Sequence, residues 1–297
     1  MPIGDILRNN VKEKLARDEV VASMTVRLVR NVEIARIART AGFDTLYVDL
    51  EHSSFSIDTC GQICMAALEA GIAPFVRVPA NTPEYISRVL AGGALGVIAP
   101  HIRSADEAKA VVRAAKFPPL GERSNAGGLP HLHFRAFPVA EAYAALNDAT
   151  MVIAQFESAA ALAQAEEIVA VDGVDMVLVG LNDLLADWGI PGEYDHPRVR
   201  EAYAKTIAAC RQRGKHCGVG GLATRPDLVA EFVKMGARYV STGTDLGFLL
   251  AAATLVPLAL DSWVALASPA VASCASRSAL RRAATFLLLQ VASKHSD

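Results

Sequence analysis

Eight short apolar runs, each followed by a helical pattern, predict an α/β fold: a (β/α)8 (TIM) barrel with an N-terminal helix and a C-terminal helical extension. Three observations carry this. The runs do not alternate between apolar and polar residues; Val97-Ile-Ala and Met176-Val-Leu-Val are continuous, as strands buried on both faces of a parallel sheet must be. A helix-period segment separates each run from the next. Finally, an open doubly wound sheet usually has fewer strands, and no G-x-G-x-x-G follows the first run, which weakens a dinucleotide-binding reading.

The strands are read as Val20–Val26, Thr45–Asp49, Pro74–Val78, Gly96–Pro100, Met151–Phe156, Met176–Gly180, His216–Val219 and Tyr239–Thr242. Helices are expected over about 30–41, 57–70, 82–92, 104–115, 158–170, 197–213, 225–235 and 245–256. Asn81-Thr-Pro-Glu, Ser104-Ala-Asp-Glu and Thr224-Arg-Pro-Asp place a capping residue or Pro ahead of an acidic first turn, where free N–H groups need acceptors. Gly42, Gly71, Gly214 and Gly236 follow the last turns, where a left-handed residue ends a helix at least cost.

Composition excludes several classes. A hydrophobic share of 52% supports a sizeable core. Lys and Arg (29) nearly balance Asp and Glu (31), and there is no basic block, so neither nucleic acid nor an anionic membrane is expected as a partner. The best candidate for a membrane span, Leu249–Leu266, is interrupted by Pro257 and Asp261. The start, MPIGDILRNNVKEKL, reads as a mixed-charge helix rather than a signal peptide. Cys60, Cys64, Cys210, Cys217 and Cys274 have no metal-ligand spacing, so a reducing, cytoplasmic setting is expected.

Two segments break the rhythm. Residues 117–150 form a long connection, and connections of this length tend to be functional lids. The tail beyond residue 267 falls outside the eightfold pattern, giving a catalytic barrel over 1–267 and a tail over 268–297 that is either helical around Ala279–Val291 or poorly ordered.

In a barrel, chemistry comes from the C-terminal ends of the strands. Here those ends carry Asp49-Leu-Glu51-His52, Arg77, His101, Gln155-Phe-Glu157 and Asn182-Asp183. Five adjacent strands sending carboxylates, imidazoles and a guanidinium to one rim point to a shared site. Glu157 and Asp183 come from neighbouring strands, and oxygen-only ligation by two carboxylates suits a hard dication that keeps several waters: Mg²⁺ or Mn²⁺, with Co²⁺ as a further candidate. A salt bridge to a rim Arg is the bland alternative. Gly218-Val-Gly220-Gly221 and Ser241-Thr-Gly243-Thr fit either a phosphate-binding turn or close backbone packing. His131-Leu-His133 is either loop polarity or a metal ligand pair.

Asp49-x-Glu51-His52, Val76-Arg77-Val78, Phe117-Pro-Pro-x-Gly121-x-Arg123, Gln155-x-Glu157-Ser158 and Gly180-x-Asn182-Asp183-Leu184 resemble the HpcH/HpaI aldolase family, metal-dependent (class II) pyruvate aldolases on a TIM barrel. The resemblance runs in order over about residues 5–255 and does not reach the tail. It implies Glu157 and Asp183 as metal ligands and Arg77 facing the C2 oxygen of pyruvate. It also implies His52 in proton transfer with Asp49 and Glu51 behind it, and Gln155, Asn182, Asp183 and Leu222 around the substrate. Backbone amides near Asn182 and Asp183 would hold the pyruvate carboxylate. It further implies a homo-oligomer, a hexamer assembled as a trimer of dimers. The family commonly carries an acid in the helix after the Arg strand; this chain has Leu90-Ala91-Gly92-Gly93-Ala94 there.

The implied reaction makes or breaks a carbon–carbon bond of a 4-hydroxy-2-oxo acid through a pyruvate enolate, from pyruvate or a 2-oxo acid plus an aldehyde. The methyl proton of pyruvate is too weakly acidic for a bare side chain, so positive charge must sit where the enolate charge develops. Arg77 supplies a cation that cannot deprotonate, and imidazole titrates near working pH. Oxaloacetate decarboxylation or a macrophomate-synthase-like condensation would use the same enolate, and a keto-acid-binding barrel without turnover is the non-enzymatic alternative. A Schiff-base route needs a strand-end lysine, and Lys12, Lys14, Lys109, Lys116, Lys205, Lys215, Lys234 and Lys294 all fall elsewhere.

Overall fold

A computed structural model describes residues 2–124 and 127–267. Eight parallel strands close into one barrel in sequence order: β1 (Val21–Val26), β2 (Thr45–Asp49), β3 (Ala73–Arg77), β4 (Gly96–Ala99), β5 (Met151–Phe156), β6 (Met176–Gly180), β7 (His216–Gly220) and β8 (Tyr239–Thr244). All eight predicted strands are present, within two residues at each end.

Of the three expected starts, Ser104 accepts the Glu107 N–H at helix Ala105–Ala115, while helices Pro83–Ala91 and Pro226–Met235 begin on proline without a side-chain cap. Ser56 and Ser158, not singled out from sequence, cap Ile57–Glu69 and Ala159–Ala163. Gly42, Gly71, Gly214 and Gly236 all adopt positive φ after their helices. The expected helix over 158–170 is two short ones, Ala159–Ala163 and Ala165–Val169. A further short helix, Leu181–Asp187, begins directly at the end of β6, where the sequence was read as strand end. The last helix runs Asp245–Ala267, past Pro257. Proline costs one intrahelical bond there, but its fixed φ is itself helical.

Strand alternation sorts the core. Leu46, Val48, Val76, Val97, Val152, Val177 and Val219 pack outward with the helices. Tyr47, Phe75, Ile98, Ile153, Leu178 and Tyr239 belong to a second cluster inside the barrel. Two residues further along the same faces stand Asp49, Arg77, Gln155 and Gly180, so three of these inward stripes turn from apolar to polar at their C-terminal ends and the fourth ends on a glycine.

The 117–150 connection is not a lid over that end. It links a helix to the start of β5 and closes the opposite mouth. Phe117, Leu129, Leu132 and Leu146 join Val11 and Leu15 of the N-terminal helix Asn10–Ala16 in the inner cluster. Asn147 staples the loop's ends, accepting from Phe117 N at 2.7 Å and donating to Phe117 O at 2.9 Å. Ala91, where the resembled family carries an acid, packs beside the same cluster, away from the polar end of this barrel.

Residues 2–245 form one compact unit, and 246–267 belong to a second unit that begins within the last helix. The predicted tail from 268 and Cys274 lie outside the described residues. Among the described residues, no helix is long and apolar enough to cross a membrane.

Candidate active site

A cavity of about 250 Å³ opens at the C-terminal ends of the strands. Arg27, Asp49, His52, Arg77, Gln155, Asn182, Asp183, Gly221 and Thr244 are among its wall residues.

Register builds its base. Asp49 and Arg77 are direct partners of the β2–β3 ladder. Arg77 donates from Nε to Asp49 Oδ1 at 3.0 Å and from Nη2 to Oδ2 at 2.6 Å, a two-point guanidinium–carboxylate pair. Asp49 Oδ1 also accepts the N–H groups of Glu51 and His52, which fixes the turn carrying both. Burial pushes the Asp49 carboxyl up, but the Arg77 guanidinium and the His52 N–H outweigh it and hold it below the usual range.

Glu51 links the pair to the next strands. Its Oε2 lies 2.9 Å from Arg77 Nη1 and 3.7 Å from His52 Nε2, and its Oε1 lies 2.8 Å from His101 Nε2. The sequence placed His101 at a strand end without a role. In the structure it adopts φ 55°, uncommon for a residue with a Cβ, and its backbone N–H donates to Glu157 Oε2 at 2.9 Å. Its Nδ1 stands 3.1 Å from the same oxygen, so the ring bridges Glu51 and Glu157.

Glu157 is buried and receives Gln155 Nε2 on Oε1 at 2.7 Å. Burial raises its carboxyl to about 7; the His101 contacts oppose this, and the charges of Glu51 and Asp183 add to it. Asp183 stands exposed in the first turn of helix Leu181–Asp187 and lines the cavity. Asn182 accepts Tyr194 Oη–H at 2.8 Å.

Of the predicted residues, Asp49, His52, Arg77, Gln155, Asn182 and Asp183 line the cavity, whereas Glu51 and Glu157 stand behind it, joined through Arg77, His101 and Gln155. Arg77 is committed to Asp49 and Glu51 as well as facing the cavity. Leu222 is buried in the outer core, and its neighbours Gly221 and Ala223 line the cavity instead. His131 and His133 do not form a metal pair. His131 is buried with Nε2 on Ala94 O at 2.9 Å, while His133 is exposed, 4.0 Å from Glu69. Among the glycines offered for phosphate, Gly218 is closely packed: a Cβ would lie 3.0 Å from Leu178 and 3.1 Å from Tyr239, so those side chains would have to shift. Sequence reasoning also missed Arg27, one residue beyond β1, because a single Arg after a strand carries no signal until the barrel closes.

Among the described residues no three carboxylate, imidazole or thiol groups converge as a ready-made metal cage, so a dication here would rest on two carboxylates and water. The carboxyls of Asp49, Glu51, Glu157 and Asp183 outnumber the guanidiniums of Arg27 and Arg77, and a cation placed beside Glu157 would favour its charged form. Gly180 leaves the space Glu157 occupies, since a Cβ there would lie 2.6 Å from its Oε1. Gln155 Oε1 is a buried acceptor with no protein donor.

The model of the HpcH/HpaI aldolase/citrate lyase family matches residues 27–252. The chain is similar to the 4-hydroxy-4-methyl-2-oxoglutarate aldolase of Chaetomium globosum, 40% identical over 222 residues, covering 74% of this chain and 82% of that one. The aldolase of the same name from Hapsidospora irregularis is 37% identical over 261 residues, covering 85% and 97%. Among solved structures, an HpcH/HpaI aldolase from Desulfitobacterium hafniense superposes with a TM-score of 0.79 at 31% identity, covering 85% and 97%.

Proposed function

Since the chain belongs to the HpcH/HpaI aldolase/citrate lyase family, we propose that it is a carbon–carbon lyase that cleaves or forms 4-hydroxy-2-oxo acids through the enolate of pyruvate. Glu157 and Asp183 would hold Mg²⁺, Mn²⁺ or Co²⁺. The observation that carries the reading is Glu157, a carboxyl buried against the cavity residue Gln155 and close enough to Glu51 and Asp183 for their charges to raise it.

In the cleavage direction, the C4 hydroxyl gives its proton to a base and the C3–C4 bond breaks. The electron pair passes to the pyruvate fragment as an enolate, C4 becomes a carbonyl carbon, and C3 is then protonated. A bound dication supplies Lewis-acid charge beside the oxygens where negative charge grows. Arg77, held by Asp49 and Glu51, presents a fixed cation to the C2 oxygen without having to reorganise. His52, on the cavity wall with its backbone N–H tied to Asp49, moves the proton. Backbone amides near Asn182 and Asp183 receive the C1 carboxylate, and Gln155 Oε1, an acceptor without a protein donor, accepts a hydrogen bond from the substrate. No lysine lines the cavity among the described residues, which supports the non-covalent route over a Schiff base.

The names of the two fungal relatives suggest the substrate class, a branched or unbranched 4-hydroxy-2-oxo dicarboxylic acid. Manganese-dependent release of pyruvate from 4-hydroxy-2-oxoglutarate tests the proposal. Oxaloacetate decarboxylation without aldol turnover would favour the decarboxylase or macrophomate-synthase-like reading. Keto-acid binding without deuterium exchange at the pyruvate methyl would favour a barrel that only binds. Borohydride trapping of a pyruvate adduct would reject the metal route.

We extend the reading to a cytoplasmic homo-oligomer, a hexamer. Leu249, Leu250, Leu255 and Val256 of the last helix are exposed, an apolar surface of the kind assembly covers. Sedimentation equilibrium checks it.

A further inference from the structure

The cavity wall holds a cation for which the steps above have no use. Arg27 follows the last residue of β1, lines the cavity, and leaves 38% of its side chain exposed. Its Nη2 donates to the His52 carbonyl at 3.0 Å. Its nearest carboxylate is Asp49, with Nε 3.4 Å from Oδ2. That carboxylate is already closed on Arg77 at 3.0 and 2.6 Å and also accepts two backbone N–H groups. Asp49 therefore gives Arg27 a long contact and little hydrogen bonding, and most of the guanidinium's five donors face solvent or the cavity.

The backbone beneath Arg27 is rigid. The N–H groups of Arg27, Leu28 and Val29 all donate to the buried Asp245 carboxylate, at 2.9, 2.9 and 2.8 Å. The closed strand order also sets β1 across the barrel from β5, which carries Gln155 and leads into Glu157. A 2-oxo acid with its C1 carboxylate at Asn182 and Asp183 and its C2 oxygen facing Arg77 has Arg27 on the same cavity wall, beside His52 and Asp49.

We propose that Arg27 binds the second carboxylate of the substrate, the one attached at C4, and so selects an acceptor fragment that is itself a short 2-oxo acid over a neutral aldehyde. The proposal rests on the aldolase reading for the direction in which the substrate lies. A guanidinium matches a carboxylate at two points, whereas an alkyl terminus offers it nothing and would leave its cavity-facing N–H groups without acceptors.

The test compares 4-hydroxy-2-oxoglutarate with 4-hydroxy-2-oxopentanoate, in which a methyl group replaces the second carboxylate, in the wild type, Arg27→Gln and Arg27→Lys with Mn²⁺. Arg27→Gln is expected to lower kcat/KM on the dicarboxylate by about 10–100-fold, mainly through KM, the range lost with a charge-assisted hydrogen bond. The loss on the methyl substrate should be much smaller, and Arg27→Lys should recover part of the dicarboxylate rate. Equal losses on both substrates would show that Arg27 acts through Asp49 or His52, and an undiminished dicarboxylate rate would show that it binds nothing; either overturns the proposal. Calorimetry with 2-oxoglutarate and 2-oxopentanoate separates this from the aldolase reading. If the wild type turns over neither hydroxy acid, that reading fails, and the binding preference then decides. A preference for 2-oxoglutarate erased by Arg27→Gln upholds the carboxylate site, and a preference absent or unchanged rejects it.

Discussion

Asp49 and Arg77 stand directly opposite each other in the β2–β3 register and close a two-point ion pair at 3.0 and 2.6 Å, with Asp49 fully buried. The same carboxylate carries the turn that presents Glu51 and His52. One residue thus fixes both the cation and the base assigned to the reaction.

Removing either partner of this pair should cost stability as well as turnover. Asp49→Asn leaves Arg77 with Glu51 alone and Arg77→Ala leaves Asp49 with the long Arg27 contact, and breaking a buried pair costs up to about 3–5 kcal/mol. Burial of Arg77 against Asp49 is expected to make both stability and turnover fall. Urea unfolding of the two variants checks this, and a midpoint within error of wild type in both would refute it.

Glu157→Gln and Asp183→Asn should each lose Mn²⁺ binding while unfolding cooperatively. A ligand at about a hundred times its Kd stabilises the native state by about 2.7 kcal/mol, so the wild type should melt higher with Mn²⁺ and the variants should not. A retained manganese shift in both variants would mean that the ligands lie elsewhere.

Gly180→Ala should disturb the same centre without touching a charge. Its Cβ would lie 2.6 Å from Glu157 Oε1, 2.7 Å from Glu157 Cγ and 2.8 Å from Gln155 Nε2. Overpacking of this kind typically costs about 1–3 kcal/mol. The expected result is weaker Mn²⁺ affinity with a modest loss of melting temperature; wild-type affinity would show that Glu157 can hold the cation from another position.

His131 should govern acid stability. Burial lowers its imidazole from 6.5 to about 4, with the bond to Ala94 O opposing and the Arg123 charge assisting. The unfolded chain binds the proton first, so stability is fully present above pH 6.5 and drains away as pH falls toward 4, by about 3 kcal/mol in all. His131→Gln keeps a donor for Ala94 O and should flatten that slope. An unchanged dependence on pH between 6.5 and 4 would exclude His131 as the cause.

The barrel was legible because its signals are local. Doubly apolar strands, capping or proline starts and glycine stops each depend on a few adjacent residues, and they placed eight strands and most helices close to their observed bounds. Asp49, His52, Arg77, Gln155, Glu157 and Asp183 were legible as a group for a related reason: in a barrel, the end of a strand is an address. Leu222 was misplaced because strand-end position does not say whether a side chain points to the cavity or to the helices.

Other features depended on contacts distant in sequence. The 117–150 segment resembles a lid by length, yet it plugs the opposite mouth, because a connection from helix to strand returns to the N-terminal end. His131 looks like loop polarity until Ala94 receives its bond. His101 gains a role only when its left-handed turn sets the ring between Glu51 and Glu157, and Arg27 only when Arg77 saturates Asp49. The amino-acid sequence by itself determined which elements form, in what order, and which chemical groups reach the rim. Only the tertiary structure decided which of those groups pair and which remain available to a substrate, because ion pairing and burial arise between strands that closure of the barrel brings together.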